Sequence, residues 1–343
     1  MPPTSGDNPA AARRQKLVLA AIATVAVLVA IVAFSRPATI AQVVGSIGWS
    51  GAAIVLALYS TTQLLRTARI WFSLPVVDRP HFGAVLGIVA IHQCLNHLLP
   101  LRVGEASFPL LMKRYGAVPP ATSIALLLVV RLQELVVLVL FFAGALVSRV
   151  AQTRGGLPTG WLLTLAAVGV VVLALIFRTL PVILGVAASI FRRTRPFASF
   201  SAGKERIARF LESLRVEWIA PVSPARRGLA WLLTLAIWFN TCFISLEGLR
   251  FSGFKISFAE TVLGSTVASL SHVLPINAFG SFGSLEAGWT FGFAALAFDP
   301  RGVLAVAFVL HILLMIFLIV AALIAWAWLH GTTARRVDPA RER

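Results

Sequence analysis

The chain has 343 residues, 58% of them hydrophobic and 13% charged, with a mean hydropathy of +0.88 and a formal net charge of +17. Apolar content of this order excludes an ordinary soluble domain, and the long unbroken runs exclude a transmembrane barrel, whose strands read as short alternating segments. The fold class read from this is all-α, a polytopic transmembrane helical bundle, and the basic excess reflects positive-inside topology and attraction to anionic lipid at the cytoplasmic face, with no nucleic-acid partner.

Residues 1–16 form a cytoplasmic tail carrying Arg13, Arg14 and Lys16, and a membrane domain over 17–329 follows. The first span runs from Leu17 to Phe34. Its apolar run is longer than the core of a secretory signal and no small-residue cleavage site follows, so it is read as a retained anchor. The second span runs from Val43 to Leu65, ahead of Arg66, Arg69 and Arg79, which mark a cytoplasmic flank. From His81 to Tyr115 the sequence is apolar but interrupted by His92, Asn96, His97, Pro100, Arg102 and Glu105, and it ends at Lys113 and Arg114. A segment bounded by basic residues with a proline and charges in its middle reads as a re-entrant helix pair. Broken backbone at membrane depth survives only under protein or beside a water-filled cavity, so this pair is expected inside the bundle.

The third and fourth spans cover Ala121–Val147 and Trp161–Phe177, and a basic cytoplasmic loop, 178–227, follows. Within it Ile207, Phe210, Leu211, Leu214 and Trp218 recur at helical spacing, away from Lys204, Arg206, Arg209 and Arg215. That is the pattern of a helix lying in the interface, its charges serving topology or contact with anionic lipid. The fifth span covers Leu229–Leu249, a second broken segment covers Phe258 to Phe298, and the last span, Val303–Leu329, leads into a cytoplasmic tail, 330–343. Three full crossings separate the two broken segments. An odd number inverts them, so the expected architecture is an inverted repeat in a multi-pass protein of the plasma or inner membrane, with both termini cytoplasmic.

The broken segments echo each other. Asn96-His97-Leu98-Leu99-Pro100 continues to Gly104-Glu105, and Ser271-His272-Val273-Leu274-Pro275 continues through Asn277, Gly280, Ser281 and Gly283 to Glu286. Paired interruptions in two halves of a hydrophobic chain point to a transporter-like central site. Charges at membrane depth point the same way, since each costs roughly 2.5–3.5 kcal/mol even on a lenient scale. The candidates are Arg102, Glu105, Arg131, Glu134, Glu247 and Glu286. Arg131 and Glu134 stand three apart on one helix face and read either as a structural ion pair or as substrate ligands. Glu247 shares a face with Asn240 near the outer end of its span. Glu105 has Arg102 nearby, whereas Glu286 has no local partner.

The stretch from Pro275 to Ser284 reads as unwound backbone followed by a new helix start, whose free N–H groups suit an anion such as a phosphate headgroup. The two cysteines, Cys94 and Cys242, lie in apolar runs and read as packing residues. The aspartates, Asp7, Asp78, Asp299 and Asp338, fall in tails and loops without forming a cluster, and no Gly-Lys-Ser/Thr loop is present, so neither a metal nor another cofactor is expected.

Arg66-x-x-Arg69-x-Trp71, the Pro100-x-Arg102-x-Gly104-Glu105 core, Arg131 with Glu134, and Leu274-Pro275 through Gly283-x-x-Glu286 together resemble the flippase-like transmembrane region of lysylphosphatidylglycerol synthases and their stand-alone relatives. The resemblance spans nearly the whole chain, with two departures: Ser107-Phe108-Pro109 replaces the usual basic residue after Gly-Glu, and Asn277-Ala278-Phe279 stands where the family is richer in small residues. No aminoacyl-transferase domain is expected after the last span. The resemblance implies a protein that moves or binds a phosphate-bearing lipid, such as an aminoacyl-phospholipid, a polyprenyl-phosphate sugar or another glycolipid. Arg102, and Arg131 with it, would hold the phosphate, while Glu105 and Glu286 would orient the arginines, bind the headgroup or carry a coupling proton. A metal-free membrane transferase and a non-transporting accessory protein are the competing classes.

Overall fold

The computed structural model describes residues 9–75, 79–152, 159–193, 201–219, 222–271 and 279–337. Among these the chain is helical, with no strand: α1 Pro9–Ser35, α2 Pro37–Ser73, α3 Phe82–Leu98, α4 Ser107–Gly116, α5 Pro120–Gln152, α6 Thr159–Arg193, α7 Ser201–Ile219, α8 Pro224–Phe251, α9 Phe258–Ser271, α10 Ser284–Ala294 and α11 Pro300–Val337. Five stretches among the described residues are long and apolar enough to cross a membrane: Pro37–Ser73, Pro120–Ser148, Ala167–Phe191, Pro224–Phe251 and Pro300–Thr332. Ile22–Ser35 and Phe82–Leu98 are shorter apolar helices. The protein is an integral, multi-pass membrane protein.

The chain divides into two compact units, one built from 1–56, 93–105 and 245–319 and the other from 57–92, 106–244 and 320–343. In the first unit, α9 and α10 pack side by side because both present a glycine at the contact. A Cβ on Gly292 would lie 2.5 Å from the Gly264 carbonyl oxygen, and one on Gly264 would lie 2.5 Å from the Phe293 ring. Small residues that let backbones approach are the usual device for joining helices where no hydrophobic force drives them together.

In the second unit α7 packs against α5 and α6, with Leu214 buried beside Ala121 and Ala125. Its apolar stripe is therefore divided: Leu214 enters the protein, while Ile207 and Phe210 remain exposed. Several helices run past the ends of the expected spans. The second span was expected to stop at Leu65, yet α2 continues through Arg66 and Arg69 to Ser73, because Arg69 finds partners on other helices and is compensated without leaving the helix. The fourth was expected to stop at Phe177, yet α6 runs on to Arg193. Arg178 is exposed there, and Pro181 with one missing N–H is accommodated within a continuing apolar run.

Candidate functional site

The first unit brings residues 93–105 of the first broken segment against the second broken segment. The first segment is broken as the Pro100 corner requires: α3 ends at Leu98, and Pro100–Ala106 forms a 3-10 turn before α4. Gly104 sits in that turn against the end of α3, where a Cβ would fall 2.4 Å from both Asn96 Cα and the Leu95 carbonyl oxygen. That close approach is the reason only glycine fits in the Gly104-Glu105 pair. Asn96 Oδ1 is buried with no hydrogen-bond partner among the described residues. His97 Nδ1 lies 2.9 Å from the Gln93 carbonyl, within its own helix. Glu105 is half-buried in the 3-10 turn, while the side chain of Arg102 lies outside the described residues, and with it the expected pairing with Glu105.

The second segment resumes at Phe279 in a tight turn, and α10 begins at Ser284 as the sequence implies; His272 and Asn277 fall outside the described residues. Three residues of the turn have positive φ: Gly280 at 72°, Ser281 at 58° and Gly283 at 95°. Left-handed backbone is open to glycine and strained for serine, so Ser281 is held there by its surroundings. Its Oγ donates to the His97 carbonyl at 3.2 Å, which joins the two broken segments directly. The Phe279 N–H donates to Thr24 Oγ1 of α1 at 3.1 Å.

The free N–H groups of the new helix were expected to await an external anion. Glu286 supplies one from within: its Oε2 accepts from the Gly283 N–H at 2.7 Å, so a carboxylate already sits on the positive end of α10. The other oxygen, Oε1, lies 2.5 Å from His311 Nδ1 on α11. Both side chains are sealed from solvent, at 1% and 0% exposure. Phe282 covers the imidazole at 4.5 Å between ring centres, and His311 Nε2 is buried with no partner among the described residues. His311 was not singled out from the sequence. A lone histidine in an apolar run carries no local signal, and what could have pointed to it is the need of the isolated Glu286 for a partner on another helix.

The second unit holds a different cluster. Arg69, 2% exposed, donates from Nη2 to Glu134 Oε1 at 2.7 Å and from Nη1 to Thr234 Oγ1 at 3.2 Å. Arg131 donates from Nη1 to Glu134 Oε2 at 2.9 Å. The expected Arg131–Glu134 contact is therefore present, but Glu134 is shared with Arg69 of α2. Arg66, one turn before Arg69, interacts electrostatically with Glu134, Arg69, Arg131 and Tyr59. The Nε groups of Arg66 and Arg69 are buried without a hydrogen-bond partner among the described residues. Three guanidinium groups thus surround one carboxylate. Asn240 on α8 donates to the Leu58 carbonyl and Thr62 Oγ1 of α2, both at 2.7 Å, and fastens α8 to α2. Glu247 does not join this cluster; it faces Arg250 at 3.9 Å, one turn further along α8.

Among the described residues no three His, Cys, Asp or Glu side chains gather as metal ligands would. Cys94 and Cys242 are buried free thiols. Residues 18–322 match the family model described as the lysylphosphatidylglycerol synthase TM region. No curated protein matches the chain, and no solved structure does.

Proposed function

Since the chain belongs to the lysylphosphatidylglycerol synthase transmembrane-region family, whose model covers residues 18–322 of its 343, we propose that it moves a phosphate-bearing lipid across the membrane in the manner of a flippase. The substrate class is a phospholipid such as an aminoacyl-phospholipid, a polyprenyl-phosphate sugar or a glycolipid with a phosphate link. The observation that carries this reading is the excess of guanidinium over carboxylate around Glu134. Arg66, Arg69 and Arg131 share this one carboxylate. A grouping of guanidinium forks matches phosphate oxygens with paired, charge-assisted hydrogen bonds.

The junction of the two broken segments supplies a part able to move. Its Gly280 and Gly283 sit at positive φ, a backbone that glycine adopts without strain. The basic flanks support a cytoplasmic side for both termini, and the cell membrane is the proposed location.

The test uses the full chain in vesicles of phosphatidylethanolamine and phosphatidylglycerol containing a tail-labelled phosphatidylglycerol or a polyprenyl-phosphate sugar. Sidedness is read by a membrane-impermeant reductant and covalent structure by mass spectrometry of the recovered lipid. Protein-dependent crossing of unaltered lipid supports the reading. A chemically altered lipid would favour a membrane-embedded transferase, and binding without crossing would favour an accessory protein.

A further inference from the structure

We propose that Glu286 and His311 form a proton-binding site whose occupancy sets the state of the second broken segment, and that lipid movement is thereby coupled to the transmembrane proton gradient. The coupling rests on the transport reading above, whereas the proton site stands on its own geometry.

A purely structural histidine at full burial would have both ring nitrogens satisfied, because an unpaired buried polar atom is costly. His311 Nδ1 is held by Glu286, yet Nε2 faces no partner among the described residues. The pair therefore has two proton positions. One lies between Nδ1 and Glu286 Oε1, and the second is Nε2. With the first alone occupied, the pair carries a net charge of −1. A proton taken from water onto Nε2 gives an imidazolium beside a carboxylate, with net charge zero, and its return to water on the other side restores the first state. The two protons belong to the pair rather than to either residue.

Two features tie this exchange to movement. Nε2 is sealed, with Phe282 of the Phe279–Ser284 turn over the ring, so a shift of that turn would uncover it. Glu286 also holds that turn through the Gly283 N–H, and the turn holds the end of α3 through Ser281 Oγ and the His97 carbonyl. A change of charge on the pair thus acts on the junction of the broken segments through two hydrogen bonds linked by the Ser281–Gly283 backbone. Among the described residues, most of the other ionisable groups of the first unit are engaged elsewhere. Glu260 closes the start of α9 on Ser257, Asp299 caps α11 at the Gly302 N–H, and Arg301 lies over Phe34 of α1. Glu247 faces Arg250 on α8, His97 faces the Gln93 carbonyl, and Lys255 is exposed. Glu105, half-buried in the Pro100–Ala106 turn, is the remaining carboxylate of the first broken segment.

The experiment places the full chain in vesicles of phosphatidylethanolamine and phosphatidylglycerol with tail-labelled phosphatidylglycerol, and imposes pH gradients of either sign. The wild type should move label about 10-fold faster under one sign than the other, within the range of ordinary coupling energies. Glu286→Gln and His311→Gln should each move it at one rate under both. Movement that ignores the gradient in the wild type overturns the coupling and leaves the transport reading intact. The proton site is read separately from the ¹⁵N signals of histidine-labelled protein in the same lipids. A His311 ring that changes between its neutral and imidazolium forms on a pH step supports the site, even where labelled phosphatidylglycerol does not move and the transport reading fails. A ring that stays in one form overturns it. Where His311→Gln does not insert, the His311 signal is assigned by elimination, from single replacements of the other histidines.

Discussion

The two charged clusters of this protein solve the burial of charge in opposite ways. Around Glu134 the charges are fixed: guanidinium groups do not release protons under ordinary conditions, and the cluster carries more cations than anions. At Glu286 a carboxylate meets an imidazole, so the charge of the pair depends on a proton. A cluster of the first kind is suited to holding an anion, and a pair of the second kind to changing state. The difference teaches that a membrane-depth carboxylate has no role of its own until its partner is known.

The comparison is tested most severely by removing the shared carboxylate. Glu134→Ala leaves Arg69 buried at 2% exposure with no counter-charge. Breaking a buried pair in this way should cost about 3–5 kcal/mol, read as loss of thermal stability of the purified protein in detergent. A smaller loss would mean that Arg69 is already balanced by another group. Next come the turns that hold the broken segments. Gly283→Ala puts a Cβ at φ 95° and 2.9 Å from Val27, and Gly104→Ala puts one 2.4 Å from backbone atoms. The first should destabilise by about 1–3 kcal/mol through backbone strain and the second through a clash with the end of α3, both measured in the same thermal assay.

Arg66→Ala sharpens the comparison on the functional side. Since Arg66 meets Glu134 only electrostatically, its loss should leave folding nearly intact while weakening retention of phosphate-bearing lipid about 10-fold, the value of one charge-assisted hydrogen bond. Native mass spectrometry of co-purified lipid measures it, and unchanged lipid occupancy would remove Arg66 from the anion site. The smallest effect is expected of Arg131→Ala, whose side chain is 38% exposed. Its pair with Glu134 should contribute about 0–1 kcal/mol, so a stability loss well above that would place Arg131 among the structural arginines.

Much of this molecule follows from its sequence alone. The long apolar runs decide the membrane class, because twenty residues of that kind cross lipid and little else explains them. Pro100 decides where α3 ends, and the Gly280–Gly283 stretch decides that α10 starts anew, because proline and glycine act through the local backbone. Glu286 and Glu134 were visible as sites for the same reason that made them costly. What sequence could not decide is which groups answer those charges. Beside the local Arg131, Glu134 has a second partner 65 residues earlier on α2, and the partner of Glu286 stands 25 residues later on α11; nothing in either local pattern names these two. Nor could it decide that α2 passes through Arg66 and Arg69 without ending, since a basic pair marks a membrane boundary only while it lacks a buried counter-charge. Local backbone preference is written residue by residue, whereas compensation of a buried charge is settled only when helices distant in sequence are packed against each other.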